Sequence, residues 1–141
     1  MKVLITGGAG FIGGAITRQL RARGDDVVAL VRDRNRTSGI EKLGAEVVED
    51  DLSDIGRLTA ALEGADAAIH AAGSYRIGIT KAERGAMWDA NVGTTTRLLD
   101  AAEAAKTPRI VYVSTVNVFG DTGGVIVDEA YRRDLGRGFL S

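Results

Sequence analysis

The sequence predicts a doubly wound α/β domain, in which helices cover both faces of a parallel β-sheet. Short β-branched runs alternate with amphipathic stretches, which is typical of βαβ units. A glycine-rich turn directly follows the first of these runs. The chain has 141 residues, the length of one domain. We therefore expect a single domain over residues 1–141, with five parallel strands in the order 3-2-1-4-5.

The first part of the chain contains three predicted strands, at residues 2–6, 27–31 and 46–49. Between the first two, apolar residues recur at helical spacing from Ile12 to Leu20, and Gly24 ends this helix. Residues 32–44 are polar and lack this spacing. We expect a loop there, with one short helical turn near residues 39–43.

The middle of the chain predicts one strand between two helices. Ser53 is a suitable N-cap for a helix that ends at Gly64, and residues 67–70 follow as the fourth strand. The longest helix is expected over residues 81–106. Its apolar stripe contains Trp88, Val92, Thr95, Leu99 and Ala102, and we expect this stripe to serve helix packing rather than to form a substrate platform.

The fifth predicted strand is the apolar run 110–113, which Pro108 separates from the long helix. Because this run is apolar throughout, we expect it to be buried, Tyr112 included. Residues 120–141 are rich in glycine and charge and are expected to be mostly loop. Within them, residues 125–127 are candidates for a short strand that covers the edge of the fifth strand.

The composition excludes several kinds of site and partner. The chain has no cysteine and one histidine, so we expect neither disulfides nor a metal site. Its net charge is -1, without a long run of like charges, which argues against a nucleic-acid partner. Its apolar runs are of strand length, shorter than the ~20 residues that span a bilayer. We therefore expect a cytoplasmic protein without membrane contact.

The clearest local signal for function is the turn between the first strand and the first helix, with Gly7, Gly10 and Gly13. Glycines let the backbone approach a pyrophosphate closely, and the N–H groups at the helix start carry partial positive charge. The alternative is a tight turn that serves only helix packing. Because strand, turn, helix and second strand follow in the required order, we favour a dinucleotide site that includes Phe11 and Ile12.

Further motifs follow the glycine turn. They are Asp51-Leu52 after the third strand, His70-Ala71-Ala72-Gly73 after the fourth, Asn91-Val92 in the long helix and Ser114-Thr115 after the fifth. Together with the glycines, they resemble the extended branch of the short-chain dehydrogenase/reductase family. That branch includes NAD(P)-dependent epimerases, dehydratases and dihydroflavonol-reductase-like enzymes. The resemblance extends over residues 1–120 and implies a Rossmann-type fold.

The resemblance implies a role for each motif. It implies Asp51 and Leu52 at the adenine, Ala72 and Gly73 at the ribose and phosphates, Asn91 as a further cofactor-site residue, and Thr115 with Ser114 at the catalytic Ser/Thr position. Two motifs also have simpler interpretations. Asp51 fits a solvated acidic turn, and His70 is expected to be a strand-end residue with satisfied hydrogen bonds rather than a base.

The choice of cofactor depends on the residues after the second strand, where NAD-binding proteins commonly place an acid for the ribose 2′-OH. Val31 occupies that place, and Arg32, Arg34 and Arg36 follow it. Because guanidinium groups pair with phosphate through their fork geometry, we expect NADP to be preferred over NAD, with Arg32 and Arg36 as ligands. The alternatives are an exposed basic loop and a contact from Asp33 to a 2′-OH.

The family's Tyr-x-x-x-Lys pair is missing. Tyr75, Tyr112 and Tyr131 are followed four positions later by Ile79, Val116 and Leu135. In the family this pair lies on a helix after the Ser/Thr position. We therefore expect a chain that is truncated before the catalytic helix and inactive alone. In the family the long helix often packs with the catalytic helix, so the truncation is expected to expose the Trp88 stripe as well as an apolar strand edge. Both features promote association, so we also expect self-association or a homo-oligomer.

These observations predict the cofactor half of an NAD(P)-dependent oxidoreductase, epimerase or dehydratase. The complete enzyme would transfer hydride to or from a sugar nucleotide or a small carbonyl or alcohol substrate. Two alternatives stay open: a non-catalytic dinucleotide-binding module, such as a redox sensor, and an inactive fragment that binds nothing.

Overall fold

The computed structural model describes residues 1–132, and the part of the predicted loop at residues 133–141 lies outside this range. Five parallel strands form one sheet in the order β3-β2-β1-β4-β5, which confirms the predicted fold class. The strands are β1 (Lys2–Thr6), β2 (Asp26–Val31), β3 (Glu46–Glu49), β4 (Ala67–His70) and β5 (Ile110–Tyr112). Each lies within one residue of its predicted bounds.

Helices cover both faces of the sheet. They are α1 (Phe11–Ala22), α2 (Ser38–Glu41), α3 (Ile55–Leu62), α4 (Arg84–Trp88) and α5 (Thr94–Ala104). Val3 of β1 packs in one apolar cluster with Leu20 of α1, whereas Leu4 belongs to a second cluster with Leu58 of α3 and Leu98 of α5. This division follows from the alternation of side chains along a strand. None of the helices within residues 1–132 is long and apolar enough to cross a membrane.

The structure corrects the predicted start of α3. Asp54 is the N-cap, and its carboxylate accepts a hydrogen bond from the Arg57 N–H at 3.1 Å. Ser53, the predicted cap, comes one residue too early, and both residue types cap helices well. The helical turn expected near residues 39–43 is present as α2, and a 3₁₀ turn at Arg34–Arg36 precedes it.

The predicted long helix is interrupted. A π-helical segment, Asp89–Gly93, separates α4 from α5. The wider turn shifts the phase of the side chains, so most of the expected apolar stripe is not buried. Trp88 is 62% exposed, whereas Leu98 is 1% exposed. The buried residues of α5 are Thr94, Leu98, Ala101 and Ala102. Trp88, Val92 and Leu99 are exposed, as expected for a chain truncated before the catalytic helix, whereas Ala102 of the same stripe is buried.

The prediction that β5 is buried is also wrong. Tyr112 is 53% exposed and Val111 is 52% exposed. Within residues 1–132, β5 pairs with β4 on one side and with no strand on the other. Residues 125–127 form no strand, so the expected cover is missing from the described part of the chain. Among the described elements, only β4 makes extensive contact with β5, so no helix buries the faces on which these side chains lie.

Candidate functional site

A cleft of about 420 Å³ lies at the carboxyl ends of the central strands. Its walls are formed by the glycine turn after β1, by Arg32 after β2, by residues 50–52 after β3 and by residues 71–74 after β4. In this strand order the connections change direction between β1 and β4. Doubly wound folds bind ligands at such a switch point, and the cleft lies there.

Most of the predicted cofactor-site residues line this cleft. Lining residues among them are Gly7, Gly10, Arg32, Asp51, Leu52, Ala72 and Gly73, whereas Phe11, Ile12, Gly13, Arg36 and Asn91 lie outside the lining. The tertiary structure therefore brings together motifs that are separated by more than sixty positions in the sequence.

Backbone contacts hold the glycine turn closed. Gly7 has a φ of +69°, and its N–H donates to the Leu30 carbonyl at 3.2 Å. The Gly10 N–H donates to the Gly7 carbonyl at 2.9 Å. A Cβ at Gly13 would collide with the same carbonyl oxygen. The glycines thus allow tight packing of the turn while Gly7 and Gly10 leave its backbone open to the cleft.

Helix α1 begins beside the cleft with Gly10 as its N-cap. Among the described residues, no side chain caps this helix, and its first turn contains no acidic residue. The first N–H groups of a helix lack partners within the helix and carry the positive end of its dipole. Phe11 is 98% exposed and Ile12 is 53% exposed, so solvent reaches this helix start. It is suited to a phosphate group.

The segment after β3 forms one side of the cleft. Leu52 has a left-handed φ of +63°, and its N–H donates to the Asp50 carboxylate at 2.7 Å. The exposed Asp51 carboxylate accepts a hydrogen bond from the Ser53 N–H at 3.0 Å. Hydrogen bonds from the side chain and backbone of Ser53 lower the pKa of Asp51. Asp51 is therefore an ionised acceptor at the cleft, in a turn built around Leu52.

Two residues that the sequence analysis missed support this turn. The Arg97 Nε donates to the Leu52 carbonyl at 2.7 Å, and its guanidinium lies 3.1 Å from the carboxylate of Asp89, a cleft residue. The hydrogen bond from Arg97, aided by its charge, lowers the pKa of Asp89. The sequence offered one indication of this ion pair: Asp89 and Arg97 carry opposite charges and lie about two turns apart on one predicted helix. The π-helical segment determines how Asp89 and Arg97 face each other, and no sequence pattern indicates that segment.

The basic residues after β2 have different surroundings. Arg32 lines the cleft. The Arg34 guanidinium donates to the Val47 carbonyl at 3.0 Å and lies 3.7 Å from the Glu41 carboxylate. Arg36 is exposed and outside the cleft lining. Of these three arginines, Arg32 alone contributes to the cleft lining.

The segment after β4 forms the opposite wall, with Ala72, Gly73 and Ser74 in the lining. Asn91 lies behind this wall. Its Oδ1 accepts a hydrogen bond from the Ser74 N–H at 2.8 Å, and its Nδ2 donates to the Ser74 carbonyl at 2.8 Å. His70 is 2% exposed and hydrogen-bonded through both ring nitrogens. The expected role of His70, a strand-end residue with satisfied hydrogen bonds, is confirmed.

The predicted catalytic residues follow β5. Ser114 and Thr115 are exposed and lie outside the cleft lining. The Thr115 hydroxyl accepts a hydrogen bond from the Asn117 N–H at 3.3 Å and caps a 3₁₀ turn. Within residues 1–132, no group of three His, Asp or Glu side chains is placed to hold a metal ion.

The sheet order, the switch-point cleft and the uncapped helix start define a dinucleotide-binding α/β fold. A model of the NAD dependent epimerase/dehydratase family matches residues 3–135. The chain belongs to this family.

Named relatives span reductases and epimerases. The putative dihydroflavonol 4-reductase of Synechocystis sp. is 35% identical over 91% of this chain and 37% of that protein. A UDP-glucose 4-epimerase sequence of Klebsiella pneumoniae is 36% identical over 86% of this chain and 94% of that sequence. The Stigmatella aurantiaca ketoreductase that acts on a farnesylated dihydroquinoline oxide is 35% identical over 93% of this chain and 39% of that protein.

Solved structures agree with this assignment. The UDP-glucose-4-epimerase of Stenotrophomonas maltophila, with bound NAD and formylated UDP-arabinopyranose, has a TM-score of 0.84 and 27% identity. The match covers 95% of this chain and 43% of that protein. The UDP-glucose 4-epimerase of Brucella ovis in complex with NAD has a TM-score of 0.81 and 27% identity, over 94% of this chain and 41% of that protein. The chain thus spans about two fifths of the length of these proteins.

Proposed function

We propose that this chain binds a nicotinamide dinucleotide and represents the cofactor half of an oxidoreductase, epimerase or dehydratase. The observation that carries the proposal is the cleft at the switch point, with the uncapped start of α1 beside it. The first N–H groups of a helix lack partners within the helix, and a phosphate at this start is stabilised by those N–H groups and by the helix dipole.

The cleft residues fit the parts of a dinucleotide. Gly7 and Gly10 hold the pyrophosphate near the helix start, and Asp51 and Leu52 bind the adenine. Residues 72–73 line the ribose and phosphate region. When bound, the nicotinamide supplies a carbon that accepts or donates hydride.

We also propose that the cofactor is NADP. Val31 stands where an acid would bind a ribose 2′-OH, and the adjacent Arg32 lines the cleft. A guanidinium binds a phosphate through charge-assisted, bidentate hydrogen bonds. Arg34 is engaged with Val47 and Glu41, so Arg32 carries this preference, with Arg36 as a second ligand on an exposed 3₁₀ turn.

For the complete enzyme we propose hydride transfer to or from a sugar nucleotide or a small carbonyl or alcohol substrate. Thr115, with Ser114, orients the substrate oxygen by hydrogen bonding at the end of β5. Because this sequence contains no Tyr-x-x-x-Lys pair, we expect the 141-residue chain to bind cofactor without turning over substrate.

Titration with NADPH and with NADH tests these proposals. Binding is followed by the fluorescence of Trp88, the sole tryptophan, and by thermal shift, because a ligand that binds only the folded state raises its stability. We expect NADPH to bind more tightly than NADH. In R32A, the ratio of the two affinities should fall by about tenfold, because a charge-assisted hydrogen bond is lost. The matched control is R18A, at an exposed position of α1. If the chain binds neither NADPH nor NADH, the proposed cofactor site is contradicted. If it binds NADH as tightly as NADPH, or more tightly, only the proposed preference for NADP is contradicted.

A further inference from the structure

A chain of hydrogen bonds connects β1, β4 and α5 behind the cleft, and it is buried at Thr6 and His70 and half-buried at Thr95. The Thr6 hydroxyl lies 2.6 Å from His70 Nδ1, and His70 Nε2 lies 2.9 Å from the Thr95 hydroxyl. Thr6 and His70 are almost completely buried, at 0% and 2% exposed. The proposed function assigns no task to this histidine, which is the only one in the sequence.

The partners at the two ends determine where the protons lie. The Thr95 hydroxyl is 2.6 Å from the Asn91 carbonyl, which can only accept. Thr95 must therefore donate its single proton there and accept one from His70 Nε2–H. Nδ1 is then the acceptor of the ring, and it receives the proton of the Thr6 hydroxyl. The Thr6 oxygen in turn accepts the Ala72 N–H at 3.2 Å.

Both ends of this chain reach the same wall of the cleft. One end holds Ala72 through its N–H. At the other end, Asn91 holds the N–H and carbonyl of Ser74 with its side-chain amide, each at 2.8 Å. Residues 72–74 all line the cleft. Burial lowers the pKa of His70, which agrees with a neutral ring that donates at one nitrogen and accepts at the other.

We propose that His70 is a positioning residue. In its Nε2–H tautomer, it links Thr6 to Thr95 in a chain of hydrogen bonds in which each group donates to the next. This chain clamps residues 72–74, which form the wall of the cleft. A protein interior strengthens such a chain, and one missing member leaves buried polar groups without partners. The clamp itself is formed by the polypeptide without any bound cofactor. Its effect on cofactor affinity rests on the proposed function.

The single histidine makes the tautomer directly measurable. In a ¹⁵N–¹H multiple-bond spectrum of the ligand-free protein at neutral pH, we expect the pattern of a neutral ring with the proton on Nε2. A ring with the proton on Nδ1, or a rapidly exchanging mixture of tautomers, overturns the proposal. This measurement needs neither a nucleotide nor a variant.

Variants of α5 test the clamp. T95V removes the acceptor of His70, whereas T96V removes the neighbouring hydroxyl, which makes the same type of bond to a backbone carbonyl, that of Val92 at 3.0 Å. We expect the amide exchange rates of Ala72 and Ser74 to rise about tenfold in T95V and to stay unchanged in T96V. T95S keeps the hydroxyl and should restore the wild-type rates. Equal exchange in T95V and T96V contradicts the clamp.

The dinucleotide titration separates the clamp from the cofactor proposal. If the wild-type chain binds NADPH, T95V should weaken binding by roughly two- to tenfold, with T95S and T96V close to wild type. Unchanged affinity in T95V overturns the positioning role. If the wild-type chain binds no nucleotide, the proposed function fails, while the tautomer and the amide exchange rates still decide whether the clamp exists.

Discussion

Gly7 lies against the backbone of Ala72, and a Cβ added to Gly7 would come within 2.8 Å of the Ala72 nitrogen. The glycine turn after β1 and the segment after β4 are therefore in direct backbone contact. This contact explains why two motifs more than sixty residues apart form one cleft. It also means that small additions to the turn affect both stability and the shape of the cleft.

We predict that G13A destabilises the protein by about 1–3 kcal/mol, because the new methyl group collides with the Gly7 carbonyl in a tightly packed turn. Urea unfolding measures this change. The matched control is G14A, since a Cβ at Gly14 approaches the Gly8 oxygen only to 3.5 Å. In G14A, the helix propensity of alanine should stabilise the protein by up to about 1 kcal/mol. Equal stability of the two variants would refute this account of the turn.

We predict that R97M weakens dinucleotide binding several-fold, because the Leu52 carbonyl loses its donor and Asp89 loses its cation. The pKa of Asp89 should rise toward its ordinary value, since Arg97 is the cause of its lowering. Titration calorimetry measures the affinity, and carboxyl ¹³C shifts report the pKa. An arginine outside the cleft, Arg109, provides the control R109M. Unchanged binding in R97M would show that Leu52 holds its conformation without Arg97.

His70 predicts a specific dependence of stability on pH. Burial lowers its pKa in the folded state below the ordinary value of 6.5, so the unfolded chain binds a proton more readily. The free energy of unfolding should be insensitive to this group above that value and should fall as the pH drops below it. Urea unfolding from about pH 5 to about pH 7 measures the slope. In H70Q the slope over this range should be smaller, and an equal slope would assign the effect to other groups.

Within residues 1–132, β5 pairs with a strand on one side only, and this free edge predicts self-association. Val111 lies in the middle of β5 and is half exposed. We expect V111K to reduce association, because a charge on an edge strand opposes further strand pairing. Light scattering over a concentration series measures it, with circular dichroism to confirm folding. The control is I126K, at an apolar residue that is 99% exposed but outside any strand. A wild-type chain that stays monomeric at high concentration would exclude the association.

The sequence predicted the strands well, because each is a short apolar run bounded by turn residues, and such patterns are local. It predicted the glycine turn for the same reason. It also named seven of the seventeen residues that line the cleft, and four of these, Asp51, Leu52, Ala72 and Gly73, followed from the family resemblance. It failed at Tyr112, whose burial depends on whether another element covers it. It also failed at the π-helical segment Asp89–Gly93, since one wider turn changes the buried face without changing the apolar composition.

By itself, the sequence determined the order of strands and helices, the glycine turn and the absence of a Tyr-x-x-x-Lys pair. Only the tertiary structure decided that Arg32 reaches the cleft while Arg34 bonds elsewhere, and that His70 joins Thr6 to Thr95. The physical reason is that the first group depends on neighbours along the chain. The second depends on hydrogen bonds of a few ångströms between residues from different strands and helices, whose positions no local pattern contains.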